Sequence, residues 1–129
     1  MSLEESRKRC WFVDSTGLVE SSRTNLTLEK LSYAHPFKPI SDLETAVKEL
    51  KPTILIGVSG QPGYFTKTII EEMTKLNPIP VIFALSNPTS KAECTAEQAY
   101  TWVSFFLFPF LSFFHCPFNS FSVFFQLLE

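Results

Sequence analysis

Four residues in this chain sit where an apolar run gives way to polar residues, and their types could hold a ligand. Asp14 follows Cys10-Trp11-Phe12-Val13, Ser59 and Gly60 follow Thr53-Ile54-Leu55-Ile56-Gly57-Val58, and Asn87 follows Pro80-Val81-Ile82-Phe83-Ala84-Leu85 and Ser86. A strand-end acid can accept hydrogen bonds from sugar hydroxyls. Ser15 beside it and Lys30 in the following loop pair a hydroxyl donor with a cation, which suits a phosphate. Gly60 and Gly63 allow close backbone approach, and Asn87, held extended by Pro88, carries an amide suited to a ribose or a carboxylate. Each has a plainer reading: a solvated acid, surface Ser and Lys, turn glycines, a structural turn. For Asn87 the ligand reading is preferred. No nucleophile arrangement can be assembled, His35 and His115 lack partners at metal spacing, and Glu71-Glu72 reads as a solvated helix face.

The elements that must position these residues follow from periodicity. Ser2-Leu3-Glu4-Glu5 fits a capping box with Arg7-Lys8-Arg9 at the helix end. The run 10–13 predicts a strand, and Gly17 eases the turn after it. Residues 20–40 are polar and irregular, with Pro36 and Pro39 excluding a long helix. Ser41-Asp42-Leu43-Glu44 reads as a second capping box, and Leu43, Ala46, Val47 and Leu50 share one face of a helix over about 42–50. A buried strand follows Pro52. Ile69, Ile70, Met73 and Leu76 predict a helix over about 65–76, ended by Asn77-Pro78, and 80–85 is the next strand. Thr95 and Gln98 cap a helix bearing Ala99 and Tyr100. Alternating strands and helices predict an α/β fold, a partial Rossmann-like parallel sheet with flanking helices. In such a sheet, ligands bind outside the carboxyl ends of the strands.

With 129 residues the chain is in the range of one domain. Its net charge of -2 comes from mixed acids and bases, with no basic stripe for nucleic acid. Cys10, Cys94 and Cys116 are scattered and odd in number, which points to reduced thiols inside a cell. Residues 1–9 have no apolar stretch of the secretory kind. The expectation is an intracellular protein, cytoplasmic first, with plastid or mitochondrion as alternatives.

Residues 1–102 and 103–129 differ in kind. Val103 to Leu128 holds ten of the fourteen phenylalanines and no Lys, Arg, Asp or Glu. Pro109, Pro117, His115 and Asn119 argue against a bilayer crossing. The preferred reading is a hydrophobic tail unrelated to the rest, a translated intron, because Val103-Ser104 is encodable by a splice-donor sequence and thymine-rich introns read as phenylalanine.

The segment Glu4 to Trp102 resembles the C-terminal part of the NAD(P)-binding domain of malic enzyme. Three stretches carry the resemblance: Trp11 to Leu18 (WFVDSTGL), Lys51 to Gly57 (KPTILIG) and, above all, Ile82 to Cys94 (IFALSNPTSKAEC). It implies oxidative decarboxylation of L-malate to pyruvate and carbon dioxide, with reduction of NADP, or of NAD as the alternative, and a divalent Mg or Mn ion. By the same resemblance Asp14 binds the adenosine ribose, Ser15 and Lys30 favour NADP, and Asn87 contacts the nicotinamide ribose and malate. The family's glycine-rich phosphate loop, catalytic tyrosine and lysine, and three metal-binding carboxylates have no counterpart here, and Gln61-Pro62 departs from its Ser-Gly-x-Gly-Gly loop. The strands near Trp11 and Ile54 are therefore each expected to face an empty neighbour, in a chain that folds poorly alone and lacks activity. The alternatives are a noncatalytic fragment docking on malic enzyme subunits, as in a homo-oligomer, and a membrane-anchored peptide.

Overall fold

The computed structural model describes residues 2–103 and the backbone of residues 123–126. The short helix α1 (Leu3–Arg7) opens on the Ser2–Glu5 capping box and leads into β1 (Cys10–Asp14). A tight turn follows, and β2 (Gly17–Leu18) folds back antiparallel to β1. The sequence shows this segment only as a turn, because two residues carry no periodicity. One helical turn, α2 (Leu28–Leu31), is capped by Thr27 within the otherwise irregular 20–40 region.

The helix α3 (Leu43–Leu50) starts one residue later than the expected box. Asp42, not Ser41, accepts the Thr45 amide, and Lys51 closes the helix in the left-handed region. Next come β3 (Ile54–Gly57), α4 (Lys67–Leu76) and β4 (Val81–Ala84). A 3-10 turn at Thr89–Lys91 precedes α5 (Ala96–Trp102), whose Thr95–Gln98 capping box forms as predicted.

The sheet order is β2-β1-β5-β3-β4, where β5 is Val123–Gln126. This strand corrects the expectation of empty neighbours. It runs parallel to both β1 and β3, pairing Trp11 with Phe124 and Phe124 with Leu55. A Val-Phe-Phe sequence favours extended backbone, and a strand there satisfies ladder groups that β1 and β3 would otherwise leave unpaired. Residues 104–122 and 127–129, on which the intron and membrane readings rest, lie outside the described residues.

Through this register Trp11, Leu55 and Ile82 come level, as do Val13, Gly57 and Ala84. Successive side chains alternate between faces, so these residues share one face, and the apolar ones pack in the core with Leu43, Ala46 and Val47 of α3 and Ile69, Ile70 and Met73 of α4. Leu55 and Val47 are fully buried, each worth about 1.5–3 kcal/mol of apolar burial. On the opposite face Ile54, Ile56 and Val81 are half-buried, and Phe83 is exposed on the edge strand.

Phe125→Pro should lower stability by about 1–3 kcal/mol, since it removes an amide donor and orphans its partner in the middle of the sheet. Amide exchange should then quicken within Cys10–Val13 and Ile54–Gly57, and unchanged protection in both strands would contradict the placement of β5.

Candidate functional site

The carboxyl ends of β1, β3 and β4 lie at one edge of the sheet, and two polar clusters form there. The first centres on Asp14, whose residue is only 2% exposed. Its Oδ1 accepts from Arg23 Nη1 at 2.9 Å and from the Thr16 amide at 3.0 Å. Its Oδ2 accepts from Lys30 Nζ at 2.8 Å and from Arg23 Nη2 at 3.1 Å. A buried carboxylate with two cations on it is a charge-assisted network. Burial pushes the Asp14 pKa up, but the hydrogen bonds from Arg23, Lys30 and the Thr16 amide outweigh it and hold the carboxyl below its ordinary range.

Arg23 is further fixed by the carbonyls of Gly17 and Leu18, which accept from Nη1 at 3.3 and 3.2 Å, and by Asn25. It lines a cavity of about 470 Å³ with Thr16, Ser22, Asn25, Pro39 and Ser41. Lys30 reaches Asp14 from α2 and borders a small cavity of about 130 Å³ with Phe12, Glu29 and Tyr33. Ser15, between Asp14 and Thr16, is exposed and free of the carboxylate network. The structure places Lys30 on the Asp14 carboxylate with Ser15 alongside, and adds Arg23. The sequence gives no local signal for Arg23, because its pairing depends on the β1–β2 hairpin.

The second cluster joins the loops after β3 and β4. Ser59 is buried, Gly60 adopts a positive φ of 64°, and the Gly60 amide donates to Ser86 Oγ at 2.7 Å. Ser59 and Ser86 both converge on Glu93, a fully buried carboxylate. Burial drives its pKa upward, but hydrogen bonds from Ser86 and Ser59 prevail and leave it depressed. Asn87 is exposed, joined to Pro88 by a cis peptide bond, and lines a cleft of about 320 Å³ with Val58, Gly60, Leu85, Ser86 and Lys91. Sequence reasoning finds Ser59, Gly60 and Asn87 but misses Glu93, since an acid in a polar loop reads as solvated.

The two clusters are separate. The strand β5 lies between β1 and β3, so their axes stand about 10 Å apart at two strand spacings. A ligand touching both must span about 10 Å. Among the described residues no group of three or more His, Cys, Asp or Glu side chains could hold a metal ion. His35 is structural, stacked on Trp11 at 4.0 Å with Nε2 2.8 Å from the Cys10 carbonyl.

A family model described as "Malic enzyme, NAD binding domain" matches residues 1–106. The chain is 53% identical over 102 residues to NADP-dependent malic enzyme 1 of Arabidopsis thaliana, covering 78% of this chain and 18% of that protein. It is 52% identical over 102 residues to the NADP-dependent malic enzyme of Anas platyrhynchos, with 79% and 18% covered. Against the chloroplastic NADP-dependent malic enzyme of Flaveria trinervia the identity is 54% over 101 residues, with 78% and 16% covered. The chain therefore spans less than a fifth of the length of these relatives.

Proposed function

Because this chain belongs to the malic enzyme family and matches its NAD-binding domain, we propose that it holds NADP, with NAD as the weaker alternative, for oxidative decarboxylation of L-malate to pyruvate and carbon dioxide. The observation that carries this reading is the Asp14–Arg23–Lys30 cluster. Among the described residues four hydrogen bonds reach the Asp14 carboxylate, so a ribose hydroxyl must displace one donor. Arg23 is tied to two backbone carbonyls and to Asn25, whereas among the described residues Lys30 Nζ bonds only Asp14. Lys30 is the donor that leaves. It carries its charge to the 2'-phosphate while the ribose takes its place at Oδ2, and Ser15 supplies a hydroxyl to the same phosphate. Arg23 stays, keeping Asp14 ionised as an acceptor.

At the other end Asn87 and the Gly60 backbone border the cleft that receives the nicotinamide ribose and the malate beside it. Bound NADP supplies the hydride acceptor, and the residues named here bind and orient it. The divalent Mg or Mn ion of the family has no seat among the described residues, so its role is assigned to none of them. A second reading, a noncatalytic unit that docks on malic enzyme subunits, is favoured by the open edge of β4 with exposed Phe83 and Leu85. The compartment proposed is the cytoplasm, with plastid or mitochondrion as alternatives. Three relatives carry "chloroplastic" in their names, and no helix among the described residues is long and apolar enough to cross a membrane.

Titration of the chain with NADP and NAD tests the proposal. Lys30→Ala should weaken NADP about tenfold or more, the worth of one charge-assisted hydrogen bond, and leave NAD nearly unchanged. Equal effects on both, or none, would remove the 2'-phosphate from Lys30.

A further inference from the structure

Glu93 is tied to both loops that flank the Asn87 cleft. Its Oε1 accepts from the Ser59 amide at 2.7 Å, from Ser59 Oγ at 2.8 Å and from Ser86 Oγ at 2.6 Å. Those hydroxyls serve in turn as acceptors for the next backbone groups, Ser86 Oγ for the Gly60 amide and Ser59 Oγ for the Gln61 amide at 3.2 Å. The Glu93 carbonyl accepts from the Phe65 amide at 3.1 Å, which anchors the carboxylate to the start of the α4 segment.

The side chain lies against β3 because β3 ends in glycine. A Cβ on Gly57 would stand 2.6 Å from Glu93 Cδ and 2.7 Å from Oε2, closer than side chains tolerate. Among the described residues Oε2 itself is buried without a hydrogen-bond partner, so desolvation is borne for the three bonds at Oε1. A buried carboxylate that joins two loops at the ligand edge, and touches no solvent, is arranged to set their spacing.

We propose that Glu93 is a positioning residue: through Ser59 and Ser86 it fixes the Gly60 backbone relative to Asn87, and so shapes the cleft for one nucleotide half of the cofactor. This rests on the NADP reading and extends it to a residue outside the cleft lining. The Asp14 cluster, on the far side of β5, serves the other half. Loss of Glu93 is therefore felt by one half only.

The test titrates the 129-residue chain with two probes, nicotinamide mononucleotide and adenosine 2',5'-bisphosphate. For Glu93→Gln, mononucleotide binding should weaken about tenfold, since three charge-assisted bonds become neutral ones. Binding of the bisphosphate should stay within about twofold and so report that the fold is intact. Amide exchange at Gly60 and Gln61 should quicken in the same variant while Val13 stays protected. Ser86→Ala, which removes one of the three donors at Glu93 Oε1 together with the acceptor for the Gly60 amide, should give a smaller change of the same selectivity. Equal loss of both probes, or loss of neither, overturns the assignment. A wild-type chain that binds the bisphosphate but not the mononucleotide overturns it as well and leaves the Asp14 site standing, whereas one that binds neither probe sinks the dinucleotide reading itself.

Discussion

Replacing Asp14 by alanine should cost about 3–5 kcal/mol of stability and abolish measurable NADP binding, because the substitution strands Arg23 and Lys30 without their counter-charge. The guanidinium is only 12% exposed as a side chain, so solvent cannot easily take over. Arg23 would keep its contacts to the Gly17 and Leu18 carbonyls, and these alone do not neutralise a cation. Urea unfolding of wild type and variant measures the difference. A loss under about 1 kcal/mol would mean that the pair behaves as an exposed salt bridge.

The buried carboxylates of both clusters set a pH dependence. Asp14 and Glu93 both have folded pKa values held below their ordinary ones. Their contribution is fully present above the unfolded values near pH 4 and is lost as pH falls through the depressed folded values. Wild-type stability should fall on acidification below about pH 4, and Asp14→Ala should flatten part of that fall.

Gly17→Ala should be as damaging by a different route. Gly17 has a φ of 120°, and a Cβ there would lie 2.3 Å from the Ile40 carbonyl oxygen. That oxygen accepts the Leu18 amide at 2.7 Å, so moving it breaks a buried hydrogen bond. Backbone strain of about 1–3 kcal/mol and an orphaned buried amide of about 1–3 kcal/mol together give about 2–6 kcal/mol. The Gly17 carbonyl also accepts from Arg23, so the variant should loosen the Asp14 cluster and weaken bisphosphate binding too. Gly63→Ala is the control. Its φ of 72° is strained for alanine, but among the described residues no heavy atom beyond its own chain neighbours lies within 4 Å of the added Cβ, and its cost should stay near about 1–2 kcal/mol. Equal thermal shifts in the two variants would show that the Ile40 contact does not matter.

Local signals carried most of the helices and strands into view. Capping boxes at Ser2 and Thr95 and the 3.6-residue spacing of Ile69, Ile70, Met73 and Leu76 are written within a few residues, and the structure realises them. The β-branched runs gave β3 and β4 for the same reason. Strand pairing is not local, and there the reading erred. No property of residues 123–126 announces that they will lie between β1 and β3, and a chain judged short of a strand proves to supply one. The site divides likewise. Asp14, Ser59, Gly60 and Asn87 are visible because strand ends locate ligand edges in α/β sheets. Arg23 and Glu93 are not, since each acquires its meaning from a partner brought near by the fold, nine residues away in one case and 34 in the other.

The most direct measurement is an amide nuclear magnetic resonance titration of the chain with NADP. Both clusters should respond together, with saturable shifts at Asp14, Ser15, Thr16 and Lys30 on one side and at Gly60, Ser86 and Asn87 on the other. Shifts confined to one cluster, or no saturable shift in either, would contradict a dinucleotide spanning the carboxyl ends of β1, β3 and β4.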